Sequence, residues 1–503
     1  MTVSDNDLQE QSKAVRSQKT RQAALCFCLV ANSMFMAAAQ AQALDTVELR
    51  AEALDALGGE ALDGIELSGA GWDACLGQAW SVAEGWARWQ LTDYRRLINY
   101  DNGGVSSHSA QRRAGMDPGR LGGCGAQPDA DPAPQQSFID SSASWPEQLL
   151  IWLTPHGFLR LLDDSGTAST EQVDNGWQVT LPLAREGIDY TVVADFNEDF
   201  ELRQLTTWID DAVFGDMEVR MAFGSYHDFG AVTFPDSLTL EQGGFATLHL
   251  ELDAVAPYAD TVENNIPPRA ARPPAATEGP AYEEISPGIF AFHGGYQSVA
   301  VEFDDFAMVI DGLQSDARVQ ALIALVKEAI PGKPIRYVLS THSHFDHASG
   351  LRQFAAEGAT ILTHHMNVVF FREALSTPRT LRLDATEPDT VPAKIQGVTE
   401  RLVISDDAGQ VVEVHALGES AHAADMLVAY LPSIKAVVEA DVLQPWINPV
   451  FGGDNGPHPM LVYLAEGLER IGLDYARFVP IHVPPMPPIM ERADLEAVLS
   501  GQE

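Results

Sequence analysis

The chain has 503 residues, with 71 acidic against 31 basic side chains and a formal net charge of −40 at neutral pH. That length exceeds what one hydrophobic core usually organises and implies two or three folding units. So acidic a balance argues against nucleic acid as a partner, because phosphate binding needs clustered Lys and Arg, and it disfavours anionic substrates unless the site itself supplies cations.

In chain order, the first segment has the layout of a secretory signal. Lys13, Arg16, Lys19 and Arg21 precede an apolar run over residues 23–39, which ends in the small residues "AQAQA". The run is short for a membrane span, so residues 1–43 are expected to be cleaved without leaving a stable membrane insertion. The mature protein is then expected in the periplasm or outside the cell. Beyond residue 43 only Cys75 and Cys124 remain. They fit either a disulfide in an oxidising compartment or two separate thiols. Nothing in the sequence speaks to oligomeric state.

Residues 44–263 alternate apolar and polar positions at the strand period in several places. "WQVTLPL" aligns Trp177, Val179, Leu181 and Leu183 on one face, and "MEVRMAF" does so with Met217, Val219, Met221 and Phe223. Helical signals are few; "SWPEQLLIWL", with Pro146 placed for a first turn, is the clearest. The expectation is a mostly antiparallel sheet with one or two helices, an α+β accessory domain whose role the residues do not reveal. The acidic "DFNEDF" has the opening spacing of a calcium loop, but no Gly at its sixth position and no Glu at its twelfth, so it reads as a polar turn. His108, His156, His227 and His249 are scattered without mutual spacing.

Residues 264–282 are rich in Pro and Ala and read as an extended linker. The texture then changes: "GIFAFHGGYQSVAVEFDDFAMVIDG" reads as two or three strands, "ARVQALIALVKEAI" as a helix, "IRYVLS" as a buried strand and "SGLRQFAAE" as another helix. Alternation of this kind indicates layered α/β packing over residues 283–503. Ten of the fourteen histidines lie here.

Directly after "IRYVLS" comes "THSHFDHASG". His342 and His344, two apart, can point the same way in extended chain, and Asp346 and His347 follow as the chain turns toward a helix. A polar loop needs no such set of ligand-type side chains at one strand end, so a metal site is the better reading.

The H-x-H-x-D-H string resembles the signature of the metallo-β-lactamase superfamily. That family expects a further histidine, then an acid after a strand, then a last histidine. "GESAHAADML" offers His422, "KAVVEADVL" offers Asp441 and "RFVPIHVPP" offers His482, in that order. The resemblance covers roughly 283–490 and implies an αββα sandwich. It implies that His342, His344 and His422 hold one metal ion, that Asp346, His347 and His482 hold a second, and that Asp441 bridges them. Nitrogen and carboxylate donors without thiolate suit Zn²⁺, two per chain, with Fe or Mn as alternatives.

The implied activity is hydrolysis of a small-molecule ester, lactone, thioester or amide, β-lactams included. The nucleophile would be a hydroxide shared by the ions, with Asp346 and Asp441 as catalytic carboxylates. A sulfur-dioxygenase-like oxidoreductase using a single iron is the alternative on the same fold. The third histidine departs from the family's usual G-H-T, so His415 competes with His422 for that place, and the final motif is "PIHVPP" rather than G-H-G. Asp425 reads either as an acid that steadies a ligand imidazole or as an exposed helix or turn acid, and one of His364 or His365 is expected to stand behind the ligands. His293 and His458 are read as loop histidines.

Overall fold

The computed structural model describes residues 44–58, 62–101, 103–113, 120, 122–124, 132–139, 142–163, 166–258, 281–294, 296–381, 392–443, 459–482 and 489–500. The expected leader, most of the linker (264–280) and His458 lie outside these residues.

The described residues open with a helix, Thr46–Ala56, that the strand-dominated reading missed. Its signal is local: Asp45 caps the amide of Glu48 while the Glu48 side chain returns to the Asp45 amide, a reciprocal capping box. The alternating stretches form one eleven-stranded antiparallel sheet. In spatial order its strands are Ala133–Ile139, Gly104–Arg113, Arg88–Asn99, Gly64–Ala74, Phe245–Pro257, Ser237–Gln242, Gly215–Phe223, Leu202–Asp211, Ile188–Asn197, Gly176–Arg185 and Ser169–Val173.

The inward sets follow the alternation, except that Trp177 at the start of its strand is only half-buried. Val179, Leu181 and Leu183 are buried, as are Met217, Val219, Met221 and Phe223. Leu49 and Ala53 of the first helix and Phe158, Leu159 and Leu162 of the helix Pro155–Asp163 pack on that inward face. The helix expected over "SWPEQLLIWL" shrinks to Leu149–Trp152. Residues 145–148 form a turn, and Pro155 starts a new helix because the residue before a proline avoids the helical region. "DFNEDF" is the polar turn expected, with Asn197 Oδ1 accepting the amides of Asp199 and Glu201.

From residue 282 onward two further sheets stack face to face. The first holds seven strands in chain order, Tyr282–Ser286, Ile289–Phe292, Ser298–Glu302, Ala307–Ile310, Ile335–Leu339, Thr360–His364 and Lys394–Val398, with parallel pairing from Ala307–Ile310 onward. The second holds six, Arg401–Ser405, Val411–Gly418, Met426–Leu431, Ala436–Glu439, Arg477–Pro480 and Met490–Glu491. Val299, Val301, Leu339 and Leu362 of the first interleave with Val412, Leu427, Val438 and Val479 of the second. Both faces of these strands are covered, which explains why they read as continuous apolar runs. Asp316–Ala329 and Leu351–Ala356 cover the outside of the first sheet, and Pro459–Ile471 and Arg492–Leu499 that of the second. The layering is αββα.

The antiparallel domain packs against the helical layer of the first sheet. Trp86 and Phe214 meet Phe345 and Phe370 with ring centroids 5.5–6.4 Å apart, and Phe245 packs behind them against both Trp86 and Phe214. Arg379 joins the two parts electrostatically. Its side chain is 2% exposed and grips Asp210 of the accessory sheet at 2.5 and 2.8 Å and Asp316 of the C-terminal helical layer at 3.1 Å. Removing a buried cation strands both carboxylates beside one another. Arg379→Met should therefore cost about 3 kcal/mol of stability, read as a lower midpoint at unchanged slope in urea unfolding.

Candidate metal centre

Ligand-type side chains converge at the carboxyl ends of strands from both sheets. Ile335–Leu339 lies parallel between Ala307–Ile310 and Thr360–His364, and its continuation supplies His342 and His344. The chain then turns into the short helix Phe345–Ala348, with His344 as the residue before it, and that turn presents Asp346 and His347. In the second sheet Ala436–Glu439 runs parallel to Arg477–Pro480 with Glu439 opposite Pro480. Asp441 and His482 each stand two residues beyond that pair, so the register alone sets them side by side. Leu427 N donates to Thr341 O at 2.7 Å, tying the two sheets together at the motif.

The seven residues form two groups that share Asp441. His342, His344, His422 and Asp441 offer ligand atoms within 4.8 Å of one another, and so do Asp346, His347, Asp441 and His482. Asp441 Oδ2 lies 3.1 Å from His342 Nε2, 2.8 Å from His422 Nε2 and 3.3 Å from His347 Nε2, while Oδ1 lies 2.6 Å from His482 Nε2. His347 and His482 bring their Nε2 atoms to 3.0 Å, and His342 and His422 to 3.3 Å.

These separations fit metal coordination. Bonds of about 2.0–2.1 Å in tetrahedral geometry put neighbouring donors about 3.3 Å apart. The tautomers fit as well. His344 is fully buried, and its Nε2 donates to Ala79 O at 2.8 Å, leaving Nδ1 with no hydrogen-bond partner. An orphaned buried ring nitrogen aimed into the cluster is the donor a cation requires. The residues present therefore fit two divalent ions.

Asp311, which the sequence reading missed, orients His347. Its Oδ1 accepts from His347 Nδ1 at 2.7 Å, and its Oδ2 accepts from Thr341 N at 3.0 Å and from the Thr341 hydroxyl. Carboxylate-to-imidazole pairing of this kind fixes the ring and raises its basicity. Asp311 and Asp441 both adopt left-handed backbone, φ 52° and 66°, at the ends of their strands. Asp tolerates that region better than most residues, and here it turns the carboxylate back into the site. The signal for Asp311 was an acid before Gly at the end of "MVIDG".

Tyr296 was also missed. Its hydroxyl donates to Asp346 Oδ2 at 2.8 Å and its ring lies 3.9 Å from that of His482.

Other expectations are corrected. Asp425 does not steady a ligand imidazole; it is buried and accepts from Asn367 Nδ2 at 2.5 Å, so Asp311 holds the role assigned to it. His415 binds Glu413 at 2.9 Å and, with His364 and His365, lines a cavity away from the cluster, whereas His422 is the histidine brought to His342 and His344. His293 faces Glu283 at 3.6 Å. Cys75 and Cys124, with Cα atoms 6.5 Å apart, form a disulfide.

Electrostatics divide the histidines. Burial holds His342 and His344 below their usual range, in the neutral form that metal ligation needs. Burial acts the same way on His347 and His482, but the surrounding carboxylates outweigh it. Asp311 leads in raising His347, and Asp441 in raising His482, to about 9. Asp441 is held well below the usual carboxylate range by His347, His482 and His422 despite its burial.

In the ion-free protein, then, a proton on His482 does part of a cation's work and must leave when an ion binds. Metal affinity at the Asp346, His347 and His482 position should fall about tenfold per pH unit for each displaced proton as pH drops below 9. Calorimetric titration in two buffers of different ionisation enthalpy should register that release at neutral pH.

The model of the metallo-beta-lactamase superfamily matches residues 293–482. Among solved structures the chain is similar to a metallo-beta-lactamase from Pontibacter korlensis, at 20% identity over 44% of this chain and 96% of that one, with a TM-score of 0.32. It is similar to the DIM-1 metallo-beta-lactamase at 18% identity over 44% and 94%, TM-score 0.33. It is also similar to the inverting sec-alkylsulfatase Pisa1 from Pseudomonas sp. at 17% identity over 43% and 40%, TM-score 0.29. No curated protein sequence matches the chain.

Proposed function

We propose, starting from a C-terminal region that belongs to the metallo-beta-lactamase superfamily, that this protein is an exported hydrolase using two zinc ions on a small-molecule ester, lactone, thioester or amide. The observation that carries the reading is the pair of ligand groups meeting at one carboxylate, Asp441. Such ions would supply a water of lowered pKa and polarise the scissile carbonyl.

The chain's own residues do the rest. Asp441 reaches both groups and stays ionised, so it holds them at a fixed separation. Asp311 and the Ala79 carbonyl set the tautomers of His347 and His344. Asp346 is held far below the usual carboxylate range: burial opposes this, but His347 and His482 outweigh it, so it stands ionised, the form in which its oxygens can hold a cation and accept a hydrogen bond from the attacking water. Tyr296 and Gln78 keep that carboxylate oriented.

Two further observations agree. The Cys75–Cys124 disulfide fits an oxidising compartment and so supports export. The net charge of −40 speaks against nucleic acid and for a neutral or cationic small molecule. A single-iron oxidoreductase would leave Asp346, His347 and His482 without a task, and their tight grouping favours the two-ion reading.

The test is elemental analysis of the purified protein with a screen of lactone, thioester, aryl ester and β-lactam substrates. Two zinc ions and a hydrolysis lost on chelation are expected; one iron with no hydrolysis would overturn the reading. His344→Ala or Asp441→Ala should each lose metal and reduce hydrolysis by more than the roughly 10–100-fold typical of groups behind the ligands. His415→Ala should retain both, and circular dichroism should report an unchanged strand content in all three variants.

A further inference from the structure

The metal centre is not built by the C-terminal region alone. A segment of the accessory domain, Gly77–Trp80, lies against two of the loops that carry ligands. Gln78 Nε2 donates to Asp346 Oδ1 at 2.8 Å, and Ala79 O accepts from His344 Nε2 at 2.8 Å. Phe345 N, between those two ligands, donates to Gly77 O at 3.0 Å. Trp80 binds the loop that carries His422, through Nε1 to Ser420 O at 2.7 Å and through its carbonyl, which accepts from Ala424 N at 2.8 Å. Ala79 and Trp80 are 1% and 5% exposed, so this segment is packed interior rather than a passing surface loop.

The segment is also shaped for the task. The Cys75–Cys124 disulfide closes it onto residues 122–124, where Gly122 N donates to Ala421 O and Gly123 N to Gln78 O. A Cβ on Gly77, whose φ is +80°, would fall 2.3 Å from the Phe345 ring; one on Gly123 would fall 1.7 Å from Gln78 Oε1. Glycine at these two positions lets the backbone approach the motif and lets the Gln78 side chain pass over residue 123 to reach Asp346.

We propose that Gly77–Trp80 is an integral strap of the metal centre and that Gln78 is its positioning residue, fixing Asp346 through Oδ1 while Tyr296 holds Oδ2. This rests on the two-ion reading above. The amide of Gln78 is a neutral donor. By occupying Asp346 Oδ1 it leaves Oδ2 turned toward His347 Nε2 and His482 Nε2, 3.4 and 3.5 Å away. A neutral group does this without placing a competing charge beside the ion. The accessory domain thereby acts on the second position through a side chain and on the first through the Ala79 carbonyl.

The experiment is a Co²⁺ titration of the full-length protein, followed by visible absorption and checked by elemental analysis, on wild type, Gln78→Met and Gly123→Ala. Gln78→Met keeps the side-chain length and removes the donor; Gly123→Ala displaces the Gln78 side chain while leaving every ligand in place. Both variants should bind the second ion at least about tenfold more weakly, as expected for loss of a group behind a ligand, while the first ion binds as in wild type. A purely structural role would shift the thermal midpoint and spare the ratio of the two binding steps. Wild-type affinity for both ions in Gln78→Met would overturn the strap proposal alone. A wild-type protein that binds no second ion would overturn the two-ion reading and the proposal with it.

Discussion

Four imidazole nitrogens stand 2.6–3.3 Å from the carboxylate of Asp441, almost out of reach of water. Polar groups packed this tightly and this deeply are unfavourable unless positive charge compensates them. The rest of the C-terminal region serves that constraint. The parallel register places Asp441 beside His482, and the left-handed turns at Asp311 and Asp441 bend carboxylates back over their own strand ends. Raised proton affinities at His347 and His482 supply the charge until cations do.

The accessory domain is tied to this centre at two levels. Broadly, the aromatic cluster around Phe345 and the Arg379 grip on Asp210 and Asp316 weld its sheet to the helical layer. Locally, one short disulfide-closed segment reaches the ligands themselves. The broad contact gives the local one its rigidity, because a donor is useful to a carboxylate only when its own backbone is held.

Much of the site was legible as sequence. The spacing of His342, His344, Asp346 and His347 follows from the geometry of one strand running into one turn, and local geometry survives in any fold that keeps the strand. His422, Asp441 and His482 needed the order of a known family, since nothing local links residues so far apart in the chain. Asp425 and Asp311 illustrate the limit. Both are acids beside ligand-bearing strands, and only packing decides that Asp311 meets an imidazole while Asp425 meets Asn367. Gln78 carried no signal at all, because a glutamine in a glycine-rich loop is ordinary until a carboxylate 268 positions away comes within 2.8 Å.

The amino-acid sequence by itself determined the strand faces, the layered alternation after residue 282, the donor types and their local spacing. These are properties of near neighbours along the chain, set by side-chain period and turn chemistry. Tertiary structure decided which histidine completes the first group, which acid orients His347, that Cys75 meets Cys124, and that the accessory domain closes the metal centre. Each of these depends on a distance between residues remote in sequence, and such distances exist only once the sheets have packed.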